Sequence, residues 1–209
     1  MRYCFQLLPH QNSFYRSSQQ QLGQLELAAM LRGMGEDGAV SVQEIGHSVF
    51  FIHEGRLRPE QLSALRQHSS LLLFCREEGG ALWPLEAADR EWLSRSMAEL
   101  LKYKGKTSPA FTRLMINLAA AAIGKTADPE PLTVLDPMAG RCTTAFCALS
   151  MGHHAVVMDV DQRALKEGMD FFQRYCERKR WKYQLKQSAE TCGSQSVPAA
   201  VYTVTPDRE

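Results

Sequence analysis

The strongest constraint on the fold is the pattern of residues 132–161, LTVLDPMAGRCTTAFCALSMGHHAVVMDVD. An apolar run at 132–135 predicts a buried strand. After a short loop, residues 143–151 predict a helix that ends at Gly152. A second apolar run at 155–158 predicts another strand. A strand, a helix and a strand in this order are typical of a β–α–β unit.

Two aspartates follow the two predicted strands, Asp136 after the first and Asp159 after the second. Ligands of open α/β sheets bind at the carboxyl ends of the strands, and an acid about 20 residues after the first loop can bind a ribose diol. The loop has a single glycine, Gly140, whereas a pyrophosphate needs G-x-G-x-x-G. S-adenosyl-L-methionine has an ammonium, a sulfonium and a ribose but no phosphate. The residues favour this cofactor over a nicotinamide, and a unit that binds nothing is the remaining alternative.

The loop and the segment before it resemble those of a known class of enzymes. Residues 136–144, DPMAGRCTT, resemble the D-P-F/M-x-G-x-G-T-T loop of amino-methyltransferases that modify RNA or DNA. Residues 102–120, KYKGKTSPAFTRLMINLAA, resemble the Y-x-G-K-T…F-T-x-L-M-x-N-x-A stretch of an RNA methylase family that includes tRNA guanosine N2-methyltransferases. The resemblance covers residues 102–186.

The resemblance implies an α/β fold, with a partial Rossmann-like S-adenosylmethionine methyltransferase core over 102–209 and a small α+β accessory domain over 1–101. It implies S-adenosyl-L-methionine as cofactor and RNA as partner, with tRNA as the expected substrate. Thr107 and Phe111 precede the core. For these two residues, structural roles in a helix-cap region and as a core aromatic are as open as contact with the cofactor. The implied cofactor contacts are Thr107 and Phe111 before the core, then Asp136, Ala139, Gly140, Thr143, Thr144, Asp159 and Asp161.

The sequence departs from the family pattern at two points. Cys142 stands where the family has its second loop glycine, and its Cβ is expected to crowd the cofactor or to shift the loop. The D/N-P-P-Y/F tetrapeptide that holds the target amine and stacks on the flipped base does not occur, so no catalytic residue is assigned. The part after residue 132 is about half the length of a complete sheet at ~20–25 residues per strand–helix unit. We expect a truncated chain or gene fragment rather than a non-catalytic derivative, with open strand edges.

Three hypotheses for function are therefore carried forward. The first is methyl transfer from S-adenosylmethionine to an exocyclic amine of an RNA base, or a fragment of such an enzyme. The second is a catalytically inactive module that binds cofactor or RNA, or that joins another subunit. The third is a DNA amino-methyltransferase, although residues 102–120 favour RNA by resemblance.

The rest of the chain predicts ordinary elements and no catalytic constellation. Residues 1–85 form a small α+β unit with scattered histidines, and residues 187–198 predict a polar loop. The predicted strands are 2–8, 40–42, 49–52, 71–75 and 199–204, and the predicted helices are 18–32, 59–66, 87–102, 109–123 and 162–180.

The charge is uneven, because the net charge is +1 but basic residues outnumber acidic ones only in residues 102–209. One basic cluster contains Trp181 and Tyr183. It has two interpretations: contact with phosphates together with base stacking, or a solvated helix end at which cations complement the helix dipole. Its cations are Arg174, Arg178, Lys179, Arg180, Lys182 and Lys186, and a second cluster is Lys102, Lys104 and Lys106.

The six cysteines form no CxxC and have no histidine at metal-ligand spacing. They predict reduced, mostly buried thiols in a cytoplasmic protein without a metal site. No long apolar run or signal-peptide pattern is present, so no membrane partner is expected. A homo-oligomer and a complex with a partner subunit both remain open.

Overall fold

The computed structural model describes residues 1–9, 16–85 and 93–205. The chain is mixed α/β, and its largest sheet has five antiparallel strands in the order β2-β3-β1-β4-β5. The first 85 residues combine helices with the antiparallel strands of this sheet, as predicted, while a separate N-terminal domain stays a prediction. The elements of these residues are β1 (Arg2–Leu7), α1 (Arg16–Gly33), β2 (Ser41–Ile45), β3 (Ser48–Glu54), α2 (Pro59–Leu65), β4 (Leu71–Glu78) and β5 (Ala81–Pro84).

The alternation of side chains on the central strand β1 divides the core between the two faces of the sheet. Tyr3 and Phe5 are buried on one face with residues of α1, among them Leu27. Cys4 lies on the opposite face, directly across from Cys75 of β4 in a second buried cluster. Strand β5 was not predicted. It follows the turn at 79–80, where both glycines have positive φ and let the chain reverse tightly.

Eight further elements follow in the second half of the chain. They are α3 (Met97–Leu100), α4 (Pro109–Ala122), β6 (Thr133–Asp136), α5 (Thr143–Ser150), β7 (His154–Val157), α6 (Gln162–Lys179), β8 (Lys182–Cys192) and β9 (Gln195–Thr205). The predicted helices at 109–123, 143–151 and 162–180 and the strands at 132–135 and 155–158 are thus confirmed within one or two residues.

Two predictions in this half are wrong. Of the helix expected at 87–102, residues 86–92 lie outside the described residues, and the described part is helical only at Met97–Leu100. The Lys106 ammonium donates to the carbonyls of Ala98 and Leu101 at the end of this helix. Residues 187–198 are not a polar loop, because β8 and β9 pair from Lys182↔Thr205 to Cys192↔Gln195. Gly193, with φ +62°, makes the two-residue turn between them.

The chain divides into two compact units that are interleaved in sequence. The first contains Met1–Pro137 and Thr143–Val157, and the second contains Met138–Cys142 and Met158–Glu209. The domain boundary expected after residue 101 stays a prediction. Nowhere in residues 1–9, 16–85 and 93–205 is a helix both long and apolar enough to cross a bilayer.

A buried polar network holds helix α4 against the N-terminal elements within the first unit. The Asn117 amide donates to Glu26 Oε1 at 2.7 Å and to the Gln67 carbonyl at 2.8 Å. Ser69 donates to the same Glu26 carboxylate through its backbone N–H at 2.8 Å and its hydroxyl at 2.5 Å. Since Glu26 is only 1% exposed, these donors take the place of water around the carboxylate.

A second buried group on α4 extends this network to α5. The Arg113 guanidinium donates to Ser150 Oγ at 2.6 Å and to Gln67 Oε1 at 3.5 Å. Arg113 and Ser150 are both buried. Helix α4 is therefore fixed by polar contacts to α5 as well as to α1.

Candidate functional site

The predicted β–α–β unit is present in the first compact unit. Strands β6 and β7 pair in parallel, with Thr133 opposite His154 and Asp136 opposite Val157, and α5 connects them. The carboxyl ends of both strands therefore lie at one edge of this two-stranded sheet. Asp136 is the last residue of β6, as the sequence pattern predicts.

Three of the expected contact residues of the first unit line one open groove. Thr107, Phe111 and Thr144 line it together with apolar residues of α4 and β6, and its volume is about 490 Å³. Phe111 is 48% exposed, which argues against its interpretation as a core aromatic. Thr107 directly precedes Ser108, the N-cap residue of α4.

Thr143, the first residue of α5, is buried and shares a hydrogen bond of 2.9 Å with the Tyr103 hydroxyl. This contact joins the two stretches that carry the resemblance, because Tyr103 belongs to 102–120 and Thr143 to the loop motif. Lys106, from the same stretch, is engaged with the backbone of α3, and burial lowers its pKa. Of the predicted cluster of three lysines, only Lys102 and Lys104 are exposed.

In the second compact unit, the loop at 138–142 is held by Asp159. The Gly140 N–H donates to Asp159 Oδ2 at 2.6 Å, and the Asp161 N–H donates to Asp159 Oδ1 at 2.8 Å. The Ala139 N–H donates to the Met158 carbonyl at 2.9 Å. Asp161 in turn caps α6, since its carboxylate accepts from the N–H groups of residues 163 and 164. Ala139, Gly140, Asp159 and Asp161 are thus brought together.

These hydrogen bonds define the electrostatic state of the loop. The backbone N–H groups of Asp161 and Gly140 lower the pKa of Asp159, so the carboxylate is ionised at neutral pH. Each carboxylate oxygen has two lone pairs and uses one for the loop. Asp159 therefore organises the loop and still has acceptor capacity for hydroxyl or ammonium groups of a ligand.

The backbone at Gly140 and Cys142 adopts left-handed conformations, with φ of +51° and +67°. A Cβ at Gly140 would meet no atom within 4 Å, so this face of the loop is open. Cys142 has the conformation that glycine favours, and its side chain is fully buried. A Cβ at Gly168 of α6 would lie 2.8 Å from Cys142 Sγ and 2.8 Å from Arg141 O, so Gly168 permits the loop to pack closely on the helix.

An ion pair also ties the loop to α6 within this unit. The Arg141 guanidinium donates to Glu167 Oε2 at 2.5 Å. This hydrogen bond is the main reason that the pKa of Glu167 is lowered.

The structure also indicates candidate residues that the sequence reasoning missed. Met138, Met158 and Val160 are exposed apolar side chains next to the loop and to Asp159, and Val160 is fully exposed. Apolar side chains this exposed beside an organised carboxylate suit a flat apolar ring attached to a ribose. The sequence feature that could have indicated these candidates is Val160, an apolar residue between Asp159 and Asp161.

The nine expected contacts are divided between the units, with Thr107, Phe111, Asp136, Thr143 and Thr144 in the first and the other four in the second.

Five cysteines are buried, as predicted: Cys4, Cys75, Cys142, Cys147 and Cys176. Within the part of the chain that the structure describes, no three His, Cys, Asp or Glu side chains are placed to hold a metal ion.

Comparison with known proteins adds no family assignment. No protein-family model matches the chain, and no curated protein matches it. Function is therefore inferred from the loop, from its hydrogen bonds and from the sequence motif.

Proposed function

We propose that the loop at 138–142 and Asp159 bind S-adenosyl-L-methionine, and that the chain is an RNA base N-methyltransferase or a part of one, with tRNA as the expected substrate. The observation that carries this proposal is the pair of hydrogen bonds from Gly140 and Asp161 to Asp159. They fix an ionised carboxylate beside a glycine loop that is open on one face. The partial Rossmann-like core and a cytoplasmic location are parts of the same proposal.

The residues present fit this cofactor. Asp159 would accept from the ribose hydroxyls, and the exposed Met138 and Val160 would cover the adenine ring. The open face at Gly140 leaves room for a ligand next to the backbone. The cofactor supplies a methyl group on a sulfonium, which an amine nitrogen can take. The other expected contacts, Thr107, Phe111, Asp136, Thr143 and Thr144, belong to the first unit, and their contact with the cofactor stays a prediction.

A second candidate is a module that binds the cofactor or RNA without catalysis. One observation favours it, which is the absence from the sequence of the D/N-P-P-Y/F tetrapeptide expected to hold the target amine. In this case the chain would bind and position, and another subunit would supply the catalytic loop.

Calorimetric titration of the full chain with S-adenosylmethionine tests the cofactor site. We expect saturable binding that is weakened at least about tenfold by Asp159→Ala, since a charged hydrogen-bond partner contributes ~1.5–3 kcal/mol. Asp170→Ala is the matched control, because the Asp170 carboxylate is 46% exposed and pairs with Lys166 of α6. Its affinity should equal that of the wild type.

A second variant avoids the structural role of Asp159. Val160→Ser changes a fully exposed side chain, so the fold should be unaffected, yet affinity should fall about fivefold through ~1 kcal/mol of lost apolar contact. If the folded wild-type chain produces no binding signal at millimolar cofactor, the proposal is wrong.

Transfer of a labelled methyl group then separates the two candidate functions. The cofactor-bound chain is incubated with unmodified tRNA and, in a parallel arm, with duplex DNA. Label in tRNA supports the enzyme, label in DNA supports the alternative DNA substrate, and cofactor binding without transfer supports the binding module.

A further inference from the structure

Five basic residues stand at the end of α6, in the turn after it and at the start of β8, all in the second unit. We define them as the basic strip: Arg178, Lys179, Arg180, Lys182 and Lys186. All five residues are exposed. The chain passes from helix to strand in a tight turn, because Arg180 adopts φ +56° and the N–H groups of residues 180 and 181 donate to the carbonyls of Glu177 and Cys176 at 3.0 Å. The spacing of the cations is therefore set by the backbone.

The charges of the basic strip are not neutralised by neighbouring carboxylates. In the first half of α6, Arg163 pairs with Glu167 at 3.4 Å and Lys166 pairs with Asp170 at 2.9 Å. Among the residues that the structure describes, the basic strip forms no ion pair. The acid closest in sequence, Glu177, accepts from Gln173 and from the Tyr183 hydroxyl. Five uncompensated cations make a local positive potential that attracts a polyanion.

The two lysines of the basic strip that belong to the hairpin, Lys182 and Lys186, lie on one of its faces. Lys182, Gln184 and Lys186 alternate with Tyr183 and Leu185 along β8, so the three polar side chains share one face. Across the ladder, Thr205 and Thr203 pair with Lys182 and Gln184 and are exposed on the same face. Cations separated by hydroxyl and amide groups suit phosphates and ribose hydroxyls better than they suit acyl chains.

The opposite face of the hairpin is anchored to α6. Tyr202 lies edge-on to Phe172 with ring centroids 5.8 Å apart, and Tyr183 lies 6.1 Å from Tyr202. At the turn, Trp181 packs edge-on against Tyr175 at 5.6 Å. The aromatic residues that the sequence places among the cations are therefore used to hold the hairpin on the helix. The polar face is left free and directed away from α6.

We infer that the basic strip is a binding surface for the sugar–phosphate backbone of duplex RNA, with contact made by phosphates and ribose hydroxyls rather than by stacked bases. This inference rests on the proposed function, which selects RNA among polyanions. Duplex RNA is recognised mostly through its phosphates and 2′-hydroxyl groups, whereas single-stranded RNA is recognised mostly through bases that stack on aromatic side chains. Because the aromatic residues beside the basic strip pack on α6, a duplex segment is the better match.

Fluorescence anisotropy with a labelled RNA duplex of about 16 base pairs tests the inference, without cofactor and from about 50 to 200 mM salt. The test variant is Lys182→Ala with Lys186→Ala. The matched control is Arg163→Ala with Lys166→Ala, which removes the same charge from the same unit at cations that are already paired. Circular dichroism verifies that both variants are folded.

We expect the test variant to raise the Kd roughly tenfold and to reduce the salt slope by about 1.8, because each phosphate contact on a duplex contributes about 0.9. The control should change the Kd less than about twofold. Equal weakening by the two variants would overturn the inference, as would absence of RNA binding by the wild type. Binding to DNA of the same sequence or to phosphatidylglycerol vesicles that is as tight as binding to RNA would also overturn it.

Titration of the same test variant with S-adenosylmethionine separates this inference from the proposed function. If only the basic strip is assigned wrongly, cofactor binding is retained while the RNA result fails. If only the cofactor site is wrong, the cofactor titration fails while the RNA result stands.

Discussion

Replacement of Glu26 by alanine should destabilise the protein by about 3 kcal/mol. The carboxylate is buried and accepts from the Ser69 N–H, the Ser69 hydroxyl and the Asn117 amide. In the alanine variant the Ser69 N–H and one Asn117 N–H lose their acceptor, and each unpaired buried donor costs ~1–3 kcal/mol. Part of this loss is offset because the variant no longer buries a charged carboxylate.

Urea unfolding monitored by circular dichroism measures this effect. With a slope of ~2 kcal/mol per molar urea, a loss of about 3 kcal/mol lowers the midpoint by about 1.5 M. Glu26→Gln keeps a carbonyl oxygen for both N–H donors and should cost only about 1 kcal/mol. The exposed Glu44→Ala is the control and should stay within ~0.5 kcal/mol of the wild type. The reasoning is refuted if Glu26→Ala is as stable as Glu26→Gln.

Three further outcomes are expected. Gly168→Ala should lower the free energy of unfolding, measured in urea, by about 1 kcal/mol. A Cβ 2.8 Å from Arg141 O destabilises by ~1–3 kcal/mol through overpacking, while the higher helix propensity of alanine stabilises by ~1 kcal/mol. A variant more stable than the wild type would contradict this expectation. Arg180→Gly should stabilise by about 1 kcal/mol, as glycine favours φ +56°, whereas Arg180→Ala removes the same charge without that gain. Burial raises the pKa of the Cys147 thiol from 9.0 to about 11, so the unfolded chain ionises first as pH rises. The stability from Cys147 is present below pH 9 and lost towards pH 11, and Cys147→Ala should flatten the fall of Tm in that window.

Elements with a strong hydrophobic pattern could be predicted from the sequence, and elements that depend on pairing could not. The apolar periodicity of α4 and α6 and the apolar runs of β6 and β7 locate them within one or two residues. The β8–β9 hairpin could be predicted only in part. The residues at 199–204 indicate a strand, which lies within β9, whereas β8 has no comparable apolar run and most of its side chains are exposed. The turn at Gly193-Ser194 is the other local indication of a hairpin, but the polar residues on both sides of it are equally typical of a loop.

The candidate site could be predicted as a set of residue types, but their physical roles could not. The sequence identifies Asp159 as a carboxylate at a strand end, yet its hydrogen bonds to Gly140 and Asp161 depend on the three-dimensional path of the loop. Asn117 shows the same limit. It belongs to the stretch that resembles RNA methylases. Its amide donates to Glu26 and to the backbone carbonyl of Gln67, which are far away in sequence.

The contacts of Asn117 also determine where the chain can be divided. A fragment beginning at residue 102 would retain Asn117 and Arg113 but lose Glu26 and Gln67, so an amide and a guanidinium would face solvent beside apolar positions of α4. During synthesis the N-terminal elements are made first, and Glu26 acquires its last donor only when α4 leaves the ribosome. Helix α4 therefore completes the N-terminal core, and the β–α–β unit that follows it is built on a region that is already folded.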